Sequence, residues 1–158
     1  MDKLIRWLHL SDFHVGKDGY AQKRLFEKVI EHVSNRVKNG FIPDLVFITG
    51  DIANKGLKTQ YETFRKEFYN PLEEALGGNA WTGKLFAVPG NHDLDRTKNA
   101  IFDRAQATIP GSHFFDSTRE GKTARDVFSP RFKQYRQLQL GNVSANWVST
   151  PEGAYAKR

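Results

Sequence analysis

Leu85-Phe86-Ala87-Val88-Pro89-Gly90-Asn91-His92-Asp93 decides how this chain is read. Leu85–Val88 is a short apolar run that suits a buried strand. It passes through Pro-Gly directly into an amide, an imidazole and a carboxylate. The same design occurs twice upstream. Leu4–Leu10 runs into Ser11-Asp12-Phe13-His14-Val15-Gly16, and Leu45–Thr49 runs into Gly50-Asp51-Ile52-Ala53-Asn54. Between the first two runs, Leu25, Val29, Val33 and Val37 recur every four residues with Phe26 and Ile30 alongside, and Gly40 marks a helix end. Between the second and third, Tyr61, Phe64 and Phe68 keep helical spacing. Asn70-Pro71 then interrupts, with a further turn through Leu76 before Gly77-Gly78. The order β-α-β-α-β implies an α/β fold with parallel strands joined by right-handed crossovers.

Open parallel sheets bind ligands at the carboxyl ends of their strands. Asp12 to Asp51 spans 39 positions and Asp51 to Asn91 spans 40, about one βα unit each. Three clusters of oxygen and nitrogen donors are therefore expected at one sheet edge. Gly50 and Gly90 precede Asp51 and Asn91, where a missing side chain lets backbone and cation approach closely. Carboxylate, imidazole and amide oxygen suit Mn, Fe or Zn, and a carboxylate such as Asp51 can bridge two cations. Asp-x-His alone is a weak signal, with roughly 0.3 chance occurrences at this composition, whereas Gly-Asn-His-Asp is expected about 0.001 times.

Composition narrows the class. The 158 residues carry 24 Lys+Arg against 18 Asp+Glu, with 39% hydrophobic residues and no cysteine. Disulfides, thiolate metal sites and cysteine nucleophiles are excluded. The balance is that of a globular domain, no signal peptide or membrane span is visible, and a cytoplasmic protein is the default expectation. The charge is uneven: residues 1–93 hold 13 basic and 12 acidic side chains, and residues 94–158 hold 11 and 6. That basic second part could attract phosphate-bearing partners, or be an ordinary solvated face. Its structural signals are weak. A poor apolar stripe suggests a helix over Thr97–Thr108, Ile109–Gly121 reads as loop, and Ser129-Pro130 leads into a helix over Arg131–Leu140. Trp147 and Val148 are the anchors of the tail.

Asp12-Phe13-His14, Gly50-Asp51 and Gly90-Asn91-His92-Asp93 closely resemble the first three signature blocks of the calcineurin-like metallophosphoesterases. Leu8-His9-Leu10-Ser11-Asp12 and Val88-Pro89-Gly90-Asn91-His92-Asp93 resemble its nucleotide-phosphodiesterase branch. Gly50-Asp51-Ile52-Ala53-Asn54 and Asp93 depart from the protein phosphatase branch, which disfavours that activity. The resemblance implies an α/β sandwich of two sheets with outer helices. It implies two divalent cations, Asp12 and His14 on the first, Asp51 bridging, Asn91 on the second, and His92 beside the leaving-group oxygen. Two such ions about 3.5–4 Å apart can activate a hydroxide and neutralise the charge of in-line attack on phosphorus. An imidazole is a suitable acid for the departing alkoxide. Asp93 and Asn54 are expected behind these ligands, Asp93 as a supporting residue or helix cap and Asn54 near a bound phosphate or in a turn.

The family completes its site with three later histidines, one isolated and two in a Gly-His-x-His block. Here only His113 follows the third block. The expectation is a single metallophosphoesterase domain over 1–158, carried by a motif-bearing core over 1–93 and a basic extension over 94–158. It is read as the N-terminal part of a longer protein, with further domains or a homodimer partner. Alone it would hydrolyse a phosphodiester of a nucleotide or nucleic acid weakly or not at all. A half-sandwich would also leave one apolar sheet face exposed. The rival is a non-catalytic module that keeps the fold to bind a partner or nucleic acid. His9, His32 and His113 are not expected to bind metal, and Trp7, Phe13, Phe47, Phe64, Phe68 and Phe86 are expected in the core.

Overall fold

Alternation within the three apolar runs builds one sheet. The computed structural model describes residues 4–17, 19–95, 97, 117–120, 122–123, 129–138 and 140. Its strands are β1 (Trp7–Leu10), β2 (Leu45–Thr49) and β3 (Lys84–Val88), paired in parallel in the order β1-β2-β3. β1 starts three residues later than the apolar run suggested. The Asp44 carboxylate takes the Arg6 N–H at 2.8 Å in place of a ladder partner, and Leu4 and Ile5 are left exposed.

Register then sorts the side chains. Leu8, Val46 and Leu85 lie side by side, as do His9, Phe47 and Phe86. Successive side chains point to opposite faces. Val46, Ile48 and Leu85 are therefore buried in the core, while Trp7, Phe47, Phe86 and Val88 share the other face. This corrects the expectation that Trp7, Phe47 and Phe86 are core residues: Trp7 is 59% exposed and Phe86 39%. They form an aromatic row, with ring centroids 6.3 Å apart for Trp7–Phe47 and 5.8 Å for Phe47–Phe86. Among the described residues, one sheet face is covered by helices and the other presents this row.

The helices follow from their apolar spacing. α1 (Gly19–Lys38) buries Phe26 and Val33 and half-buries Val29, Ile30 and Val37, whereas Leu25, on the flank of the stripe, faces outward. Gly40 closes it in the left-handed region at φ +86°, where the Gly40 N–H reaches Val37 O and the Phe41 N–H reaches Arg36 O, both at 2.9 Å. The second helical stretch runs through Pro71 without a break. α2 (Lys58–Phe64) widens into a π segment (Arg65–Tyr69) and continues as α3 (Asn70–Leu76). Proline has no N–H and its ring presses on the carbonyl four residues back. The wider turn, in which Asn70 N–H donates to Arg65 O, absorbs that conflict.

Phe13, Phe26, Phe64 and Phe68 form the hub of the core, with Phe13 4.9 Å from both Phe64 and Phe68. A 3₁₀ turn (Ser129–Phe132) and a short α4 (Lys133–Arg136) dock on α2, burying Tyr135 against Tyr61. This stretch is shorter than the helix expected over Arg131–Leu140, because its last turn tightens as Leu138 N–H bonds to Tyr135 O. Of the helix expected over 97–108 only Thr97 is among the described residues, and His113, Trp147 and Val148 lie outside them. Among the described residues, no helix is long and apolar enough to cross a membrane.

Candidate metal centre

Each strand-end loop is held by a side chain sent from elsewhere in the core. After β1, Phe13 plugs into the phenylalanine hub between Asp12 and His14, and Gln22 of α1 donates to Phe13 O and accepts from Gly16 N–H. After β2, the buried Gln60 of α2 accepts from Lys55 N–H at 2.9 Å and Leu57 N–H at 3.3 Å. The first two loops are stitched to one another by main-chain bonds, His14 N–H to Asp51 O at 2.8 Å and Val15 N–H to Ile52 O at 2.9 Å.

That stitching puts three non-glycine residues into left-handed backbone: Asp12 at φ 60°, His14 at φ 47° and Asp51 at φ 53°. They are the only such residues among those described. Aspartate and histidine tolerate this region better than most, yet each such residue costs about 1–3 kcal/mol, and strain of this kind concentrates at functional sites. All three are residues singled out from the sequence as cation ligands.

The side chains converge. Ligand atoms of His14, Asp51 and His92 all lie within 4.8 Å of one another. His14 Nε2 stands 3.9 Å from Asp51 Oδ2 and 3.7 Å from Asp12 Oδ1, and the His14 and His92 rings are 4.7 Å apart in an edge-on arrangement. These spacings are too long for hydrogen bonds. Two donors each about 2.0–2.2 Å from a shared cation sit up to about 4.4 Å apart, so the 3.7 and 3.9 Å separations at His14 fit coordination. His14 Nδ1 is buried with no partner among the described residues. Gly90 leaves the room that Asp51 needs, since a Cβ there would lie 2.1 Å from Asp51 Oδ1. Two imidazoles and a carboxylate suit Mn, Fe or Zn.

His92 is held twice. Its backbone N–H donates to Asp51 Oδ1 at 2.9 Å, and its ring Nδ1 lies 3.0 Å from Asn54 O. A carbonyl only accepts, so Nδ1 carries the proton and Nε2 is the atom left for a cation or a transferred proton. Asn54 thus serves through its main chain, a role that no side-chain reading could reveal. Asp12 is placed next to His14 but with its side chain 68% exposed. Asn91 is exposed at the head of the 3₁₀ turn Asn91–Asp93, adjacent to His92. His9 lies outside the group, paired with Thr49 Oγ1 at 2.6 Å on the outer sheet face.

Asp93 is fully buried beneath the group. Its carboxylate accepts from Ala53 N–H and Gly90 N–H at 2.9 Å each, from Ile52 N–H at 3.3 Å, and from the Tyr61 hydroxyl at 3.0 Å. Burial raises the Asp93 carboxyl above the ordinary aspartate value, and these donors oppose that shift. Burial also pushes the Tyr61 phenol well up, with the Asp93 charge adding to it. Tyr61 was legible as a core position of α2, but its hydroxyl's engagement with the third loop carries no sequence signal.

A parallel three-strand sheet with histidine and aspartate side chains that could hold a cation grouped at its carboxyl edge is an α/β arrangement consistent with a metal-dependent phosphoesterase. Residues 5–147 match the calcineurin-like phosphoesterase family, and the chain belongs to it. It is 28% identical over 122 residues to an uncharacterized metallophosphoesterase-like protein of Bacillus subtilis, covering 75% of this chain and 24% of that one. It is 32% identical over 108 residues to a cAMP/cGMP dual specificity phosphodiesterase of Mycobacterium tuberculosis, covering 65% of this chain and 32% of that one. A probable cyclic nucleotide phosphodiesterase of Ruthia magnifica is 26% identical over 98 residues, 62% of this chain and 37% of its own. The chain therefore spans between a quarter and two fifths of these relatives.

Proposed function

We propose that the chain carries the metal-binding half of a phosphodiesterase acting on a nucleotide, a cyclic nucleotide in the first instance, or on nucleic acid. The observation that supports this is the convergence of His14, Asp51 and His92 from three strand ends, two of them on left-handed backbone. In this reading Asp12, His14, Asp51 and Asn91 hold two divalent ions, Mn, Fe or Zn, with Asp51 shared between them. Bound there, the ions supply charge neutralisation at phosphorus and acidify a water. Asp51 is suited to bridging because its oxygens point to different neighbours, Oδ1 to the His92 N–H and Oδ2 toward His14. His92, fixed through Nδ1 by Asn54 O, presents Nε2 to the leaving oxygen; with both ring nitrogens protonated it would give the Nε2 proton to that oxygen and return to the Nδ1–H form. The names of the relatives favour the cyclic nucleotide among these substrates.

We also propose that this chain alone turns over weakly. In this reading His92 holds no ion, and of the later histidines by which the family completes its site the sequence offers only His113 after Asp93, which leaves too few ligands for two fully held ions. The test is hydrolysis of bis(p-nitrophenyl) phosphate and of 3′,5′-cyclic AMP with Mn²⁺, run on this chain, on its Asp51→Asn variant and on a full-length relative. Slow turnover that Asp51→Asn abolishes is the expected result. Turnover equal to that of the relative would refute the weak-activity claim. No metal response at all, together with nucleic-acid affinity that falls steeply with salt and ignores chelator, would replace the enzyme by a binding module.

A further inference from the structure

The metal reading explains why His14, Asp51 and His92 converge but not what holds the third loop against the second. Parallel main-chain bonds stitch the loops after β1 and β2. By contrast, the third loop reaches the second chiefly through side chains, the Asp51 carboxylate on the His92 N–H and the Asp93 carboxylate on Ile52 and Ala53. Asp93 also closes its own turn through Gly90 N–H, so one carboxylate ties residues 52, 53 and 90 together. It is fully buried, so water competes for none of these bonds. The remaining donor comes from a helix. Tyr61 of α2 shares its single hydroxyl proton between Asp93 Oδ1 at 3.0 Å and Asp93 O at 3.1 Å, so one donor reaches both the carboxylate and its backbone.

We propose that Tyr61 and Asp93 are positioning residues, a clamp that sets the distance of the His92 turn from Asp51 and His14 and thereby the ability of the group to take a cation. This rests on the metal reading above and adds α2 to the machinery. Neither residue touches the ion. They act by fixing the turn that carries Asn91 and His92, whose N–H in turn holds the Asp51 carboxylate, and partners that orient ligands are typically worth about 10–100-fold in metal affinity.

The internal control is next door. Tyr135 is also buried, its ring centroid 6.3 Å from that of Tyr61, and its hydroxyl has no partner among the described residues. Tyr61→Phe and Tyr135→Phe each remove one buried oxygen, but only the first unloads Asp93. Two measurements on the whole chain separate positioning from plain stability. In metal-free protein, amide hydrogen exchange at Ile52, Ala53 and Gly90 is expected to accelerate about five-fold or more in Tyr61→Phe and to stay unchanged in Tyr135→Phe. With Co²⁺ as probe, Tyr61→Phe is expected to bind about 10-fold more weakly with an altered visible spectrum, while Tyr135→Phe titrates as wild type. Asp93→Asn should repeat the Tyr61→Phe pattern more strongly. Unchanged exchange at those amides, or equal cobalt affinity in the two phenylalanine variants, overturns the clamp. If wild type and Asp51→Asn bind cobalt alike, the metal reading fails instead, and the exchange arm still decides whether the clamp exists.

Discussion

Gly90→Ala tests the site from its tightest point. Gly90 sits at φ −101° and ψ −173°, extended backbone that alanine adopts without strain, so the methyl acts through contact alone. Its Cβ would meet Asp51 Oδ1 at 2.1 Å, the Asp51 backbone nitrogen at 2.6 Å and Cγ at 2.8 Å. The carboxylate can swing, but the backbone nitrogen cannot, so the loop after β2 must shift with it. Overpacking of this size costs about 1–3 kcal/mol, which lowers Tm by roughly 2–12 °C in a chain of this length. The swing also breaks the 2.9 Å bond from His92 N–H to Asp51 Oδ1.

The diagnostic quantity is the metal increment, the rise in stability on adding Mn²⁺. At free Mn²⁺ 100 times the wild-type Kd, binding to the native state adds about 2.7 kcal/mol. A 10–100-fold loss of affinity in Gly90→Ala reduces that to about 1.4–0.4 kcal/mol. Thermal unfolding with and without Mn²⁺ reads both numbers. Gly40→Ala is the control, since Gly40 is left-handed at φ +86° with nothing within 4 Å of an added Cβ. It should lose stability through its backbone and keep the whole increment. A Gly90→Ala increment equal to that of wild type would show that Asp51 does not hold the ion.

Three further outcomes are expected. Phe64→Ala, at the fully buried centre of the aromatic hub, should cost about 3–5 kcal/mol in urea unfolding, and a loss below about 1 kcal/mol would mean the hub does not carry the core. Burial raises the Tyr61 and Tyr135 phenols above the ordinary value of 10.0, so the folded chain keeps two protons that the unfolded chain releases near that pH. Their stabilisation is complete below about pH 10 and declines above it; absorbance at 295 nm should show both titrating only as the chain unfolds, and early titration would contradict the burial. Trp7→Lys with Phe86→Lys, both on the sheet face that no described helix covers, should change stability by less than about 1 kcal/mol and lower hydrophobic-dye binding; a loss above about 3 kcal/mol would show that face to be covered in solution.

What was legible in the sequence followed from local rules. β2 fell on Leu45–Thr49 and β3 within a residue of its expected start, because a fully apolar run ending in Gly or Pro-Gly leaves few alternatives. The stop at Gly40 was equally local. Errors came where one signal has two causes. Phe47 and Phe86 are as apolar as Val46 and Leu85, and only register assigns them to opposite faces. Pro71 breaks an ordinary helix, but a π turn lets this one continue, and nothing in the letters announces it. The residues proposed as ligands stood out in the sequence because Asp, His and Asn at strand ends are chemically conspicuous. Tyr61 and the Asn54 carbonyl were not, because the first looks like core and the second is backbone common to every residue.

The strained backbone and the buried carboxylate belong to one design. Left-handed conformations at Asp12, His14 and Asp51 persist only where surrounding bonds over-determine them, and the bonds that do so here are loop-to-loop. The first loop is pinned by Phe13 in the hub and the second by Gln60. The third depends on Asp93, whose carboxylate binds residues of both the second and third loops. The pins leave several groups at the sheet edge whose hydrogen-bonding capacity is not spent on the described residues. His14 Nδ1 lacks a partner among the described residues, Asp12 is exposed, and His92 keeps Nε2 open because Asn54 has taken Nδ1. A protein that satisfied these groups internally would be more stable and would have no site. Their convergence, on a fold that pins the loops behind them, leaves at this edge a group that could hold a cation.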